Sequence, residues 1–179
     1  MTELDRLIYE RRSIRKFKAE VPPKELVDEV VKAGLLAPTG RNQGSTFVIR
    51  IDDPELRAEV VAKNAEIMGA PPPGRPMDPF YGAPVILAVI ADKNAFTGVY
   101  DGSLVMGNLM NAAESLGIGS IWIHRAKEEF QSDFGKKLLA DLGIEGDFEG
   151  IGHVALGYVD EGGVKPAAPR KENYVYWVK

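Results

Sequence analysis

The sequence predicts an α+β fold, with a mostly antiparallel or mixed central sheet flanked by helices. Three observations carry that expectation. Helical and strand-like periods alternate along the 179 residues. The strand candidates are short. A terminal segment of different composition, residues 160–179, returns from afar in sequence. The length suits one core, so residues 1–159 are expected to form a single domain, with 160–179 as an extension.

Residues 3–10 read as a short helix. Over 22–38, Pro sits at a helix start, Leu26, Val27, Val30, Val31, Gly34 and Leu35 form one apolar stripe, and Pro38 ends the run. Residues 45–51 are a strand. Asp53 and Pro54 supply the cap and first position of the next helix. Residues 68–84 hold six prolines and three glycines, which makes them a loop. A loop of that length inside a compact domain often forms a lid or binding loop. "VILAVIA" reads as a fully buried strand. Residues 99–117 read as a central helix that is apolar on most faces and closely packed. Strands over 119–124 and 149–159 flank a helical stretch, 126–142, with a break expected near Asp133–Gly135. The tail ends in "NYVYWV", whose aromatics are expected to cover another surface, such as a second protomer.

Composition narrows the chemistry. Without cysteine there is no disulfide, catalytic thiolate, zinc–thiolate site or iron–sulfur cluster. The first ten residues lack the apolar core of a secretory leader, and the longest apolar run, 83–91, is too short to span a bilayer. A cytoplasmic location is the expectation. A net charge of −4 disfavours a nucleic-acid partner. Yet residues 1–50 hold ten Lys/Arg against seven Asp/Glu, so a basic end sits on an acidic body, an arrangement suited to a small anion. There is no P-loop, dinucleotide-binding glycine fingerprint, nucleophile elbow or HExxH motif. His124 and His153 lie singly in two strand candidates, and no metal site is expected.

Three polar clusters remain: "RRSIRKF" at 11–17, "APTGRNQGS" at 37–45 and "KPAAPRK" at 165–171. Read singly, each is a solvated surface run. Read together, the arginine forks and a serine hydroxyl suit a phosphate, and the Asn and Gln amides suit the edge of a heterocycle.

These clusters, with "APVILAV", "LGIGSIWI" and "ALGYVDEGG", occur in an order and spacing by which the sequence resembles the FMN-dependent nitroreductase family over almost its whole length. The resemblance implies a homodimer in which the C-terminal extension wraps the partner and FMN lies between protomers. It places Arg11, Arg12, Ser13, Arg170 and Lys171 at the phosphate and ribityl chain, and Asn42 and Gln43 at the ring or ribityl. Ile121, Trp122, Ile123 and His124 fall against the ring edge, with Arg15 adjacent to the flavin. Lys16 or Arg41 would stabilise charge on the reduced ring, and Phe80 or Tyr81 would approach it from the 68–84 loop. The implied activity is a ping-pong transfer of electrons from NADH or NADPH to a nitroaromatic, quinone or similar small acceptor, with no obligatory side-chain acid or base. Other chemistry on the same fold (reductive dehalogenation or flavin breakdown) and a non-catalytic flavin-binding module are the alternatives. One departure stands out: after Asn42 the family pattern x-Gln-Pro-Trp is replaced by Gln43, Gly44, Ser45 and Thr46.

Overall fold

The structure is a computed structural model and describes residues 2–70 and 77–178. Its helices are α1 (Glu3–Glu10), α2 (Lys24–Leu35), α3 (Pro54–Met68), α4 (Gly98–Ser115), α5 (Ala126–Gln131) and α6 (Asp133–Asp141). Its strands are β1 (Thr46–Ile51), β2 (Val85–Asp92), β3 (Gly119–Ile123) and β4 (Phe148–Gly157), and a 3-10 turn spans Gly40–Asn42. The strands form one sheet in the order β1-β2-β4-β3, with every pair antiparallel.

Local chemistry explains the boundaries. Thr2 Oγ1 accepts from Asp5 N while the Asp5 carboxylate accepts from Thr2 N at 2.8 Å, a reciprocal cap that starts α1. Asp53 caps α3 as expected, accepting from Leu56 N at 2.8 Å with Pro54 at the first helical position. The helical stretch after β3 breaks at Ser132, just before the expected Asp133–Gly135. Ser132 ends α5, and its hydroxyl caps α6 by accepting from Gly135 N.

β2 organises the core. Ile86, Ala88 and Ile90 face α3, α5 and α6, where Val60, Phe130, Leu138 and Leu139 complete one apolar layer. Val85, Leu87, Val89 and Ala91 face α2 and α4, against Val27, Val30, Met106 and Leu109. Alternate side chains thus enter two separate cores, so the strand reads as a continuous apolar run despite antiparallel pairing. Burying each Val, Leu, Ile, Phe or Met side chain among them contributes about 1.5–3 kcal/mol. On α2, Val27, Val30 and Gly34 are buried, whereas Leu35 turns outward instead of completing the expected stripe. A Cβ at Gly34 would lie 2.3 Å from Leu109 Cδ2, so the missing side chain lets α2 approach α4 closely.

α4 buries one face only. Val99, Tyr100 and Leu104 are exposed within the protomer, as are Leu4, Ile8 and Tyr9 of α1. The tail from Tyr174 to Val178 is also exposed, reaching 99% at Val178. No helix among the described residues is long and apolar enough to cross a membrane.

The pairing of β2 with β4 shifts between Val89 and Ile90, whose partners are Gly152 and Gly150. Ile151 is the extra residue of this bulge, opposite Gly102 of α4. At Gly150 a Cβ would fall 2.2 Å from the backbone oxygen of Ala126, which cannot yield without moving α5. Gly150→Ala should therefore lower unfolding stability by about 1–3 kcal/mol or more, read by chemical denaturation. Unchanged stability would refute this reading of the α5–β4 contact.

Candidate functional site

The basic stretch leaves α1 at Arg11 and runs extended beside the end of the sheet. Ile14 N donates to Ser120 O on β3 at 3.0 Å, and Lys18 N donates to Tyr158 O at 2.9 Å. Ile14 and Phe17 are buried pegs that fix the stretch to the core. These ties make its charged residues inequivalent. Arg12 Nη1 donates to the carbonyls of Tyr9 at 2.6 Å and Arg11 at 2.8 Å, so this guanidinium caps the C-terminus of α1. Lys16 Nζ sits 3.1 Å from Asp160 and donates to Glu161 O at 3.0 Å, which anchors the base of the tail. The expected charge-stabilising role of Lys16 is therefore not what its geometry serves. Arg15 donates to Ser13 O at 3.3 Å and lines a cleft. Arg11 Nη1 is buried and has no hydrogen-bond partner among the described residues. A buried donor on a permanently charged group costs stability unless a ligand meets it, and an anion is the natural complement.

The cleft has a volume of about 220 Å³ and is lined by Arg15, Met68, Asp78, Pro79, Tyr81 and residues 121–125. Thus β3 brings Ile121, Trp122, Ile123 and His124 into one cleft with Arg15 of the basic stretch. β3 is an edge strand, so its outer backbone rim lies on this side of the sheet. Tyr81 reaches the cleft through a braced turn. The Asp78 carboxylate accepts from Phe80 N at 2.8 Å and Gly82 N at 2.9 Å. Arg57 contacts Asp78 at 3.4 Å and donates through Nε to Ala83 O at 2.6 Å. This bracing holds Tyr81 at φ 58°, a left-handed conformation uncommon for a bulky residue. Phe80 is fully buried, so of the two aromatics expected near the ligand only Tyr81 lines the cleft. Part of the 68–84 loop, residues 71–76, lies outside the described residues.

Asn42 and Gln43 lie elsewhere, on an exposed turn leading into β1. Arg41 and Asn42 both take φ 54°, and the Arg41 guanidinium lies 5.7 Å from the Phe96 ring centre. The turn is held from beneath by Asp101, which is 3% exposed and accepts from Gly40 N at 2.9 Å, Ser45 Oγ at 2.6 Å and Thr97 Oγ1 at 3.0 Å. Burial pushes the Asp101 carboxyl up, but the hydrogen bonds from Ser45, Gly40 and Thr97 outweigh it and hold it below the usual carboxylate range. Beside this turn, Gln43, Gly44, Phe47, Asp92 and Phe148 line a larger hollow of about 500 Å³. Its size does not make it the anion site, because the buried Arg11 Nη1 belongs to the segment on the other edge. β1 and β3 are opposite edges of the sheet, about 14 Å apart at the usual strand spacing, with helices on both faces. The single chain therefore keeps Asn42 and Gln43 apart from Arg11, Ser13 and Arg15. Arg170 and Lys171 are exposed on the extended tail.

Sequence reasoning missed the supports. Asp101 carried a signal, as the one charge between Phe96 and Ala113 on an otherwise apolar helix. Asp78 carried another, in the turn-forming run "DPFYG". Arg57 and Ser120 carried none; they are defined by what the fold sets opposite them.

Comparison with known proteins places this geometry in context. A model of the Nitroreductase family matches residues 8–158. A protein of Archaeoglobus fulgidus, provisionally named an NADH dehydrogenase/NAD(P)H nitroreductase, is 29% identical over 163 residues, covering 88% of this chain and 86% of its own. Two crystal structures described as nitroreductases with bound FMN each match 100% of both chains at a TM-score of 0.88. The one from Desulfitobacterium hafniense is 27% identical and the one from Bacteroides fragilis 22%.

The Asp101 network generates a test. Asp101→Ala leaves three donors without their acceptor and should cost about 2–4 kcal/mol of stability. Because the folded carboxyl titrates below its unfolded value, its stabilisation is present above about pH 4 and is lost as pH falls through the lowered value. Denaturation at pH 7 and below pH 4 should therefore show a loss in the native protein that is smaller in Asp101→Asn. Equal acid sensitivity in the two proteins would overturn the assignment.

Proposed function

The chain belongs to the Nitroreductase family, and on that premise we propose that it binds FMN and passes electrons from NADH or NADPH to a nitroaromatic, quinone or similar small acceptor. The observation that carries this reading is the buried, unpartnered Nη1 of Arg11, on a segment bonded to β3 and beside the cleft. A phosphate-bearing cofactor with a planar ring fits that combination of a fixed cation and an edge-strand rim.

Arg11 and Ser13 hold the phosphate and adjoining chain in this proposal, and Arg170 joins them from the tail with Lys171 nearby. Arg12 serves by closing α1 and so fixing where Arg11 begins. Residues 121–124 present backbone groups to the ring edge. Arg15 puts positive charge on the cleft wall, where it favours a ligand that gains electrons. When bound, FMN supplies the redox chemistry; the chain supplies binding, orientation and electrostatics. The family name and the FMN-bound structural neighbours support the reading.

The proposal includes a homodimer. Asn42 and Gln43 sit on the edge opposite Arg11, so two copies would complete a site that one copy divides. The exposed apolar residues of α1, α4 and the tail supply a surface for that association. The extension over 160–179 packs on the partner, bringing its aromatics out of water.

Purified protein should be yellow and release FMN on denaturation, and its NADH or NADPH oxidation should rise with a nitroaromatic or quinone. Failure of FMN-reconstituted protein to oxidise either donor with any acceptor would reject the activity. Arg11→Ala or Arg170→Ala should weaken FMN binding by roughly 10- to 100-fold, the scale of a lost charged hydrogen bond. Full affinity in both variants would refute the phosphate assignment. Light scattering should give twice the chain mass, and truncation after Val159 should yield a monomer; a dimer that survives truncation would reject the role given to the tail.

A further inference from the structure

Directly behind the cleft lies a group of polar side chains that electron transfer does not use. Asn64 on α3, Glu129 on α5 and His153 on β4 are each 0% exposed. Asn64 Nδ2 donates to Glu129 Oε2, and to Val60 O at 3.0 Å. His153 Nε2 lies 3.0 Å from the same Glu129 oxygen, off the line of a straight hydrogen bond. Phe80 meets the imidazole edge-on, with ring centres 5.3 Å apart and planes at 82°.

Each member stands one step behind a residue that lines the cleft. Met68 follows Asn64 by one helical turn on α3. Glu129 N donates to Arg125 O at 3.1 Å. His153 is the cross-strand partner of Ile123. Phe80, which packs on His153, is followed by Tyr81. Three elements that share no strand pairing or helix with one another, α3, α5 and the 77–83 turn, are thus referenced to a single carboxylate and imidazole. Apolar packing is non-directional, whereas hydrogen bonds and edge-on rings prefer particular angles. A leucine in place of Glu129 would fill the volume without fixing the orientation.

We propose that Glu129, with Asn64 and His153, is a positioning residue that sets the shape of the cleft and thereby the approach of the acceptor. This rests on the FMN-enzyme reading above.

The test compares holoprotein carrying Glu129→Leu or His153→Phe with Glu129→Gln, which keeps the hydrogen-bonding shape, and with Val27→Ala, a cavity on the opposite face of the sheet. Glu129→Leu and His153→Phe should raise the acceptor KM about tenfold with a smaller change in kcat. In the apoprotein they should speed amide exchange across 121–125 and 78–82 by about tenfold or more. Glu129→Gln should stay within about twofold of the native protein in both measurements. Val27→Ala should lower Tm yet leave both unchanged. The inference is overturned if Glu129→Leu and His153→Phe behave like Val27→Ala, or if Glu129→Gln is as damaging as Glu129→Leu. Should Glu129→Leu not fold, His153→Phe carries the comparison, since its ring refills the space between Phe80 and Phe130. Exchange is read without cofactor, so a native protein that binds no FMN would defeat the functional reading while the exchange pattern still decides the positioning role.

Discussion

The constraint on which the rest depends is a sheet kept dry on both faces. Seven of the eight residues of β2 are buried, and they alternate between two cores that share no side chain. Antiparallel sheets commonly leave one face to water; here α2 and α4 cover one side and α3, α5 and α6 the other. A ligand cannot reach the middle of such a sheet. Binding chemistry is pushed to its edges, and both candidate regions lie there: the cleft along β3 and the turn entering β1.

Placing function at an edge creates a second problem, because edge segments lack the packing that fixes a core. The protein meets it with buried and half-buried polar anchors. Asp101 reaches from α4 to three donors beneath the Gly40–Asn42 turn. Asp78, braced by Arg57, holds Tyr81 in a conformation the residue would not choose. Glu129 ties α3, α5 and β4 behind the cleft. At Asp101 and Asp78 a carboxylate with several partners replaces apolar contact, and at Glu129 one hydrogen bond from Asn64 and the nearby imidazole do so, since hydrogen bonds specify direction and apolar burial does not. A buried carboxylate is costly without partners, so these sites stand or fall with the local fold.

The exposed apolar residues follow from the same architecture. The outer face of α4 carries Val99, Tyr100 and Leu104, and neighbouring α1 carries Leu4, Ile8 and Tyr9. The tail adds Tyr174, Tyr176 and Trp177. In the proposed dimer this surface joins what the sheet order separates, so association and site completion become one event.

Much was legible in local sequence. The cap at Asp53, the apolar run of β2, the helix period of α2 and the turn over 77–83 are set by interactions within a few residues, and their signals are one-dimensional. So was the basic stretch as an anion-binding candidate. The roles inside that stretch were not legible: Arg11, Arg12, Arg15 and Lys16 are near-identical charges in sequence. Only the tertiary structure sends Arg12 to the end of α1 and Lys16 to Asp160, leaving Arg11 Nη1 without a hydrogen-bond partner among the described residues. Likewise His153 read as a lone strand histidine until the fold set Glu129 against it, with Asn64 on the same carboxylate oxygen. Sequence by itself determined period, caps and charge type, because those act along the chain. Which buried charged donor lacks a partner among the described residues, and which edge of the sheet each candidate segment occupies, was decided by strand order and packing, because those act across it.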